Sequence, residues 1–330
     1  MSGSRPAGGG RVPVPDGPPA VAVDIGGTKV AVRAVARGRV VHESRADWPA
    51  DGGPAADFRV LGGTLAKAVA ALGAPPARVG VAAAPTVRPD GTVAAWPNRP
   101  EWSGRALGEL IAGACGIPAG QVLFGDDATL AGYAEAVASG STDLVYLGIG
   151  TGVGGGLVCG GRLVTGAWGS AGELGHLVVD PGGPRCPCGM RGCLQAGVGA
   201  RALAERATRV RGVPTTTHEL VAGVTEKAAW AEEVLDHAAG LLARALAMLA
   251  EIVQPAQVRI GGGLGAALTP LPERVAHRLA GTLRPGRPVP EVLPALLGPG
   301  ASLEGATLLA VYGTGLPPGG AVPERKGRVA

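Results

Sequence analysis

Aromatic residues are scarce in this chain of 330 residues, where they make up 3% of the sequence. Because 46% of the residues are nevertheless hydrophobic, we expect cores packed mainly from alanine, valine and leucine. A length of this size suits two domains. The net charge is only +4, and no basic helix interleaved with aromatic residues is present, so the sequence predicts no nucleic-acid partner.

Long hydrophobic runs and a disulfide framework are missing as well. No stretch of about 18 apolar residues is present, which predicts no membrane span and no membrane partner. Residues 1–20 lack the apolar core of a secretory signal peptide. The five cysteines, three of them clustered, do not form a disulfide pattern. These absences predict a cytoplasmic protein.

Glycine is abundant, and three glycine-rich loops follow strand-like segments. The first is Asp24-Ile25-Gly26-Gly27-Thr28-Lys29, which follows the apolar run Ala20–Asp24. Successive glycine amides can form a concave anion site, and Asp24 can hold Mg²⁺ through water. The alternative is an ordinary hairpin turn. The spacing of a Walker A loop is absent.

The other two loops are Gly148–Gly156 and Gly261–Gly265. In the former, Gly150, Gly152 and Gly155 satisfy the dinucleotide pattern G-x-G-x-x-G, but an apolar strand-like run follows where that fold requires a helix. It can instead wrap a phosphate chain. The latter, with Gly262 and Gly263, can accept a nucleotide base or ribose, or can be a plain strand-to-helix turn.

Two pairs of polar side chains are candidates for catalysis or ligand binding. Asp126 and Asp127 open an alanine-rich helix, where one can cap the helix and the other can act as a general base toward a hydroxyl group. Glu173 and His176 share a face if the segment forms a helical turn, so they can contact a polyol or a metal.

The cysteine cluster has metal-ligand spacing. Cys186, Cys188 and Cys193 follow His176 closely, and a Cys₃His set suits tetrahedral Zn²⁺. Four protein ligands leave no open position, so we expect a structural zinc. The alternative is three unlinked thiols.

Together these motifs resemble the ROK family of bacterial sugar kinases over roughly residues 20–315. The resemblance implies an α/β actin-like ATPase (ribonuclease H-like) fold with two lobes around a cleft. The domains predicted are a disordered tail (1–19), an N-terminal lobe (20–132) joined by a C-terminal helix (303–315), a C-terminal lobe with the zinc segment (133–302) and a loose tail (316–330). Residues 217–253 are expected to be helical, with a break near Gly223–Thr225.

The resemblance also implies roles for particular residues. Asp127 matches the catalytic base, and Mg²⁺ accompanies ATP. The matches to ATP- and phosphate-binding positions are Asp24, Gly26, Gly27, Thr28, Lys29, Gly150, Thr151, Gly152, Gly262 and Gly263. The matches to acceptor-binding positions are Asn98, in the loop W-P-N-R-P-E-W, and Asp126, Asp127, Glu173, His176 and Gln195. The zinc ligands are His176, Cys186, Cys188 and Cys193.

Three departures from the family pattern lie on the acceptor side. Asp126 stands where the family usually has asparagine, Gln195 where it has glutamate, and Ala84-Pro85-Thr86 where it has P-G-P. A pocket whose polar groups change in this way should recognise different hydroxyl groups. The leading prediction remains the activity that the resemblance implies, that of a glucokinase-like, ATP-dependent kinase of a hexose or hexose-like primary hydroxyl. The alternative is a C7-cyclitol 7-kinase acting on a valiolone-type substrate.

Other classes are less well supported by the sequence. The family includes sugar-responsive repressors, but these carry a helix-turn-helix domain before the first glycine loop, and here that region is short and rich in glycine and proline. A non-catalytic sugar sensor would not need Asp127, and an oxidoreductase would need to bind nicotinamide. The resemblance suggests a homo-oligomer, either a dimer or a tetramer. Polyphosphate remains an alternative donor to ATP.

Overall fold

The computed structural model describes residues 12–14, 16–50 and 52–315, which form an α/β structure. The strands are β1 (Ala20–Ile25), β2 (Lys29–Ala36), β3 (Arg39–Asp47), β4 (Arg78–Ala83), β5 (Thr86–Val87), β6 (Val93–Ala95), β7 (Val122–Asp126), β8 (Leu144–Ile149), β9 (Val153–Cys159), β10 (Arg162–Leu163), β11 (Gln257–Gly261) and β12 (Glu291–Pro294). The helices are α1 (Gly53–Leu72), α2 (Leu107–Cys115), α3 (Asp127–Ser139), α4 (Leu194–Val198), α5 (Ala200–Arg211), α6 (Thr217–Thr225), α7 (Ala229–Ile252), α8 (Gly262–Ala267), α9 (Leu271–Ala280) and α10 (Ala301–Tyr312). Short 3₁₀ turns lie at Pro100–Trp102, Ala119–Gln121 and Leu174–His176.

The chain divides into two compact units. The N-terminal unit contains the described residues up to Gly140, together with Arg162–Ala171 and the described residues from Gly300 onward. The C-terminal unit contains Ser141–Gly161 and Gly172–Pro299. The chain therefore returns to the first unit twice, once for Arg162–Ala171 and once for its last helix.

The N-terminal unit is built on a five-stranded sheet with the order β3-β2-β1-β4-β7. Strands β1, β2 and β3 form antiparallel pairs, whereas β4 and β7 run parallel to β1. Because side chains alternate along a strand, Val21, Val23 and Ile25 of β1 lie on one face. They join a buried core with residues of α1 and α2. Alanine, valine and leucine dominate this core, as the scarcity of aromatic residues predicts.

Helix α10 packs against the other face of this sheet. It approaches so closely that a Cβ atom on Gly80 of β4 would lie 2.1 Å from the carbonyl oxygen of Ala306. A Cβ atom on Gly305 of α10 would lie 1.9 Å from the carbonyl oxygen of Leu130 in α3. Real Cβ atoms do not come this near to backbone oxygen, so both contacts require glycine. The two glycines allow α10 to sit directly on the sheet and on α3.

The C-terminal unit repeats the same strand arrangement. Strand β8 pairs with β9 in antiparallel fashion and with β11 in parallel, and β12 continues in parallel beyond β11. An antiparallel hairpin followed by two parallel strands therefore occurs in both units. Helix α7 supplies the largest apolar surface of the C-terminal unit, with 12 buried residues.

Several boundaries differ from the sequence prediction. The predicted lobe boundary at 132/133 falls inside α3, whereas the units separate after the helix, at Gly140, whose left-handed backbone (φ 66°) ends it. The last helix covers Ala301–Tyr312 rather than 303–315. Within the predicted tail 1–19, Val12 is buried and Val14 packs beside Ala310 and Val311. The rest of that tail up to residue 11, position 15 and the predicted tail 316–330 lie outside the described residues.

No element was predicted between Gly265 and Ala301, where the structure has α9 and β12. Pro270 precedes α9 and Pro272 lies in its first turn, and two prolines so close together normally indicate a loop. Proline is nevertheless compatible with the first turn of a helix, because the first amides of a helix have no partner within it.

The predicted break near Gly223–Thr225 is confirmed, since α6 ends at Thr225 and α7 begins at Ala229. Among the described residues, no helix is long and apolar enough to cross a bilayer.

Candidate functional site

Two predicted site carboxylates meet at the carboxyl edge of the N-terminal sheet. Asp24 lies near the end of β1, where it pairs with Ala82 of β4, and Ala82 pairs with Gly125 of β7. Asp127 follows two residues later, as the first residue of α3. The parallel register thus aligns the ends of β1 and β7, and it brings together two acids that are distant in sequence.

Both carboxyl groups are perturbed by burial. Burial raises the pKa of Asp24, and the nearby Asp127 carboxylate raises it further, although a hydrogen bond from Ser302 opposes both effects. That bond joins the Ser302 hydroxyl to Oδ2 of Asp24 at 2.8 Å. Burial also raises the pKa of Asp127, against a hydrogen bond from the Ala128 amide. An acid with a raised pKa at such an edge is suited to accept a proton.

Asp126 caps helix α3. Its Oδ1 accepts hydrogen bonds from the amides of Ala128 at 3.0 Å and Thr129 at 3.2 Å. Capping satisfies amide groups that have no partner within the helix. This capping role is the simpler of the two interpretations of Asp126. Its contact with an acceptor remains a prediction.

The turn Gly26–Lys29 joins β1 to β2 and is held by two hydrogen bonds to Gly26. The Gly26 amide donates to the carbonyl oxygen of Lys29 at 3.0 Å, and the indole Nε1 of Trp48 donates to the carbonyl oxygen of Gly26 at 2.8 Å. A Cβ atom on Gly27 would lie 2.4 Å from Nδ2 of Asn98. The structure therefore places the predicted phosphate turn directly beside the predicted acceptor asparagine.

In the C-terminal unit, the predicted nucleotide loops also meet at a carboxyl edge. Gly150, Thr151 and Gly152 join β8 to β9, which confirms that a strand follows this loop and excludes the dinucleotide-fold context. Gly262 begins α8 with a left-handed backbone (φ 76°), and a Cβ atom there would lie 2.5 Å from the backbone of Ile149. Gly263, the next residue of α8, is exposed. Gly262 therefore packs directly against the strand that leads into the second loop.

The Cys₃His set is assembled as its spacing predicts. One possible ligand atom from each of His176, Cys186, Cys188 and Cys193 lies within 4.8 Å of the others. Sγ of Cys188 is 3.6 Å from Sγ of Cys193, and Sγ of Cys186 is 3.8 Å from Nδ1 of His176. Tetrahedral zinc with bonds of about 2.0–2.3 Å separates its ligands by about 3.5–3.8 Å. The donor set therefore fits zinc in both chemistry and spacing.

Gln195 contacts both this cluster and the glycine loop. Its Nε2 donates to Sγ of Cys186 at 3.2 Å, and its Oε1 lies 2.8 Å from the place that a Cβ atom on Gly152 would occupy. Burial raises the pKa of the Cys186 thiol, but hydrogen bonds from Gln195 and Cys188 outweigh it and lower the pKa to about 6. Gln195 therefore favours the thiolate form that binds metal.

Glu173 and His176 flank the 3₁₀ turn Leu174–His176. The His176 amide donates to the carbonyl oxygen of Glu173 at 3.0 Å, and the Glu173 side chain is exposed. A Cβ atom on Gly175 would lie 2.0 Å from the carbonyl oxygen of Val153 in β9, so the turn packs tightly on that strand. The tightly packed turn therefore fixes the positions of one candidate metal ligand, His176, and of the exposed Glu173 carboxylate that precedes it.

Ser302 and a buried network around Asp57 were not predicted from the sequence. Asp57 is fully buried and accepts hydrogen bonds from Arg99 and Trp102, both of which follow Asn98 in the same loop. A signal for Asp57 did exist. It occupies the apolar stripe of α1 that also contains Leu61, Leu65 and Ala68, where a charged residue is unusual.

Comparison with known proteins decides the family. The model of the ROK family matches residues 20–312. The chain belongs to the ROK family. It is 40% identical over 301 residues to a kanosamine kinase from Amycolatopsis mediterranei (strain S699), covering 91% of this chain and 97% of that protein. It is 33% identical over 256 residues to an N-acetylmannosamine kinase from Escherichia coli O157:H7, covering 75% and 84% respectively.

Solved structures agree with this assignment. A ROK hexokinase from Thermus thermophilus is 32% identical and has a TM-score of 0.77, covering 89% of this chain and 98% of that one. A ROK glucokinase from Streptomyces griseus, in complex with glucose and AMPPNP, is 27% identical and has a TM-score of 0.69, covering 88% and 98%. The chain therefore has the α/β actin-like fold of the ROK family and is a ROK sugar kinase.

Proposed function

We propose that this ROK kinase transfers the γ-phosphate of ATP to the exocyclic primary hydroxyl of a hexose or hexose-like acceptor. The observation that carries this proposal is the half-buried Asp127 carboxylate, placed at the carboxyl edge of the sheet beside Asp24. Two named relatives act on amino sugars, and the structural neighbours include a hexokinase and a glucokinase, which supports an acceptor of this class.

The proposed reaction needs one proton acceptor and one electrophile. The acceptor hydroxyl oxygen attacks the γ-phosphorus, its proton passes to the Asp127 carboxylate, and the bond to the bridging oxygen breaks to release ADP. Asp24 would hold the Mg²⁺ that accompanies ATP, through water. The Ser302 hydroxyl fixes one oxygen of Asp24, which orients the carboxylate. When bound, Mg²⁺ neutralises charge on the phosphates.

The remaining predicted residues divide into two groups by role. Backbone amides of Gly26–Thr28 and Gly150–Gly152 would contact phosphates, with Lys29 nearby, and Gly262–Gly263 would contact the adenosine side. Asn98, Asp126, Glu173, His176 and Gln195 would contact the acceptor. Supporting contacts within the units are those of Asn98 with Gly27 and of Gln195 with Gly152.

We also propose that the Cys₃His set holds a structural zinc ion. Its four donors leave no open position, so zinc would supply no chemistry to the reaction and would instead fix the segment that carries Glu173 and Gln195. Metal analysis of the purified protein by mass spectrometry tests this directly. One equivalent of zinc is expected, with loss on substitution of the exposed Cys188 by serine.

A substrate panel with ATP tests the acceptor class. Kanosamine, N-acetylmannosamine and glucose should be compared by ADP release, and the phosphorylated carbon should be located by NMR. Phosphate on the primary carbon of at least one hexose is expected. If all three are inert, or if another carbon is phosphorylated, the proposed acceptor is wrong. Polyphosphate in place of ATP tests the donor in the same assay.

A C7-cyclitol acceptor is a second candidate because of Gln195. An amide replaces the carboxylate that the family usually has at this position, and its Nε2 faces Cys186. A ring without a true anomeric centre would not require that carboxylate. Rapid turnover of a valiolone-type cyclitol, with no turnover of the hexoses, would favour this candidate. Turnover of a hexose with none of the cyclitol would remove it.

The predicted dimer or tetramer is tested by light scattering.

A further inference from the structure

Three of the five tryptophans of the chain lie together in the N-terminal unit. The rings of Trp48 and Trp96 meet edge to face with centroids 5.9 Å apart, and Trp96 lies 5.8 Å from Trp102. All three are buried. In a chain with so few aromatic residues, this cluster beside the Asn98 loop is a local concentration of large, rigid side chains.

A buried ion pair lies within this cluster. Asp57 of α1 is 0% exposed, and its two oxygens accept separate hydrogen bonds. Oδ1 accepts from Nη1 of Arg99 at 2.7 Å, and Oδ2 accepts from Nε1 of Trp102 at 2.8 Å. A buried charge is costly unless it is paired and hydrogen-bonded, and replacing such a pair with apolar residues is often neutral for stability. The pair therefore calls for a reason beyond stability.

Both hydrogen-bond partners of Asp57 follow Asn98 in the same loop. Arg99 immediately follows Asn98, and Trp102 ends the 3₁₀ turn three residues later. The Arg99 guanidinium also donates to the carbonyl oxygen of Pro49 at 3.2 Å and lies over the ring of Trp48, 5.6 Å from its centroid. Trp48 in turn donates to the carbonyl oxygen of Gly26. One set of contacts thus connects α1, the Asn98 loop and the turn that follows Asp24.

We propose that Asp57 is a positioning residue that fixes the Asn98 loop for acceptor recognition. This proposal rests on the proposed function, in which Asn98 contacts the acceptor. A carboxylate with two directional hydrogen bonds fixes both the position and the rotation of the loop, which apolar packing alone does not. The Asn98 side chain is exposed and lies beside Gly27, so its location depends on how the loop backbone that carries it is held.

Substitution of Asp57 by asparagine tests the proposal. Asparagine keeps the shape but turns one acceptor into an NH₂ group, which must face Arg99 or Trp102, both of them donors. We expect KM for the acceptor to rise about 10–100-fold, as misplacement of a positioning group by about 1 Å does. KM for ATP should stay within about twofold. Asp90→Asn, an exposed aspartate of the same unit, is the matched control and should change neither constant.

Two further variants separate positioning from folding. Trp102→Phe removes one N–H donor and keeps an aromatic, though smaller, side chain, so it should raise KM for the acceptor less than Asp57→Asn does. Arg99→Lys keeps the charge but cannot reach Asp57 and Pro49 together, so it should raise KM as Asp57→Asn does. A purely structural role predicts a lower active fraction, seen as lower kcat with unchanged KM, in every variant that lowers the melting temperature.

The outcomes also distinguish this proposal from the proposed function. Asn98→Ala should raise KM for the acceptor more than any of these variants. If Asn98→Ala raises KM but Asp57→Asn and Arg99→Lys do not, the positioning role of Asp57 is wrong and the assignment of Asn98 stands. If Asn98→Ala leaves KM for the acceptor unchanged, the assignment of Asn98 itself fails.

Discussion

Replacement of Asp127 by asparagine should inactivate the kinase and at the same time stabilise its fold. The variant keeps the size of the side chain and its hydrogen bond from the Ala128 amide, but it cannot accept the acceptor proton. Loss of a general base lowers kcat by about 10²–10⁴-fold, which corresponds to ~2.7–5.4 kcal/mol of transition-state stabilisation. Zinc content should not change, because Asp127 and the Cys₃His set belong to different units.

The gain in stability follows from the direction of the pKa shift. Burial raises the pKa of Asp127 in the folded protein, and the Ala128 amide only partly offsets it. The folded state therefore holds the proton more tightly than the unfolded chain does. The protonated Asp127 side chain therefore contributes to the free energy of unfolding at low pH, and this contribution is lost as pH rises through the folded-state pKa. At neutral pH the buried charge is unfavourable, and asparagine removes it. The substitution also removes the repulsion between the carboxylates of Asp127 and Asp24.

Two measurements check this prediction. Kinase activity is followed by ADP release, and the melting temperatures of wild type and variant are compared from neutral to acidic pH. The advantage of Asp127→Asn should shrink on acidification. Asp90→Asn should show the opposite sign, because the Thr92 amide lowers the pKa of the exposed Asp90. Turnover within about tenfold of wild type would refute the assigned base. A melting temperature below that of wild type at neutral pH would refute the electrostatic argument.

Other predictions concern the contacts around the two predicted metal positions. Ser302→Ala removes the hydrogen bond that lowers the pKa of Asp24, so the acidic limb of the pH–rate profile should move to higher pH; an unmoved limb would contradict the orienting role of Ser302. Gln195→Glu exchanges a donor for a carboxylate beside Cys186, so zinc should be lost to a chelator about 10–100-fold more readily, measured with a chromogenic zinc indicator. Equal release from both proteins would show that the Gln195–Cys186 contact does not matter.

Local signals in the sequence were sufficient for much of the fold. The Cys₃His set followed from spacing alone, because its cysteines lie close together in the chain. Where an apolar run ends in glycine, the strand and its turn depend on neighbouring residues, so β1 and the turn after Asp24 could also be predicted.

The missed features depend on residues far apart in the chain. The bond between Ser302 and Asp24 spans 278 positions, and that between Asp57 and Trp102 spans 45. Nothing in the spacing of these residues indicates that they meet, since the contact exists only after α10 and the Asn98 loop have packed. The boundary after Gly140 was missed for a similar reason. An alanine-rich stretch shows where a helix begins more clearly than which unit it belongs to.

The return of α10 to the N-terminal unit has a consequence for synthesis of the chain. Gly80 and Gly305 allow the helix to pack closely against β4 and α3. Residues 301–312 nevertheless leave the ribosome after the whole C-terminal unit. The C-terminal unit can therefore complete its fold first, although it is made second. The part of the chain that carries Asp24 and Asp127 must wait for the last helix, and a chain that ends after Pro299 would leave one face of its sheet uncovered. A nascent chain stalled at that point should accordingly be cleaved by protease in the N-terminal unit and resist cleavage in the C-terminal unit. A nearly complete polypeptide would then still lack the covered sheet whose edge carries Asp24 and Asp127.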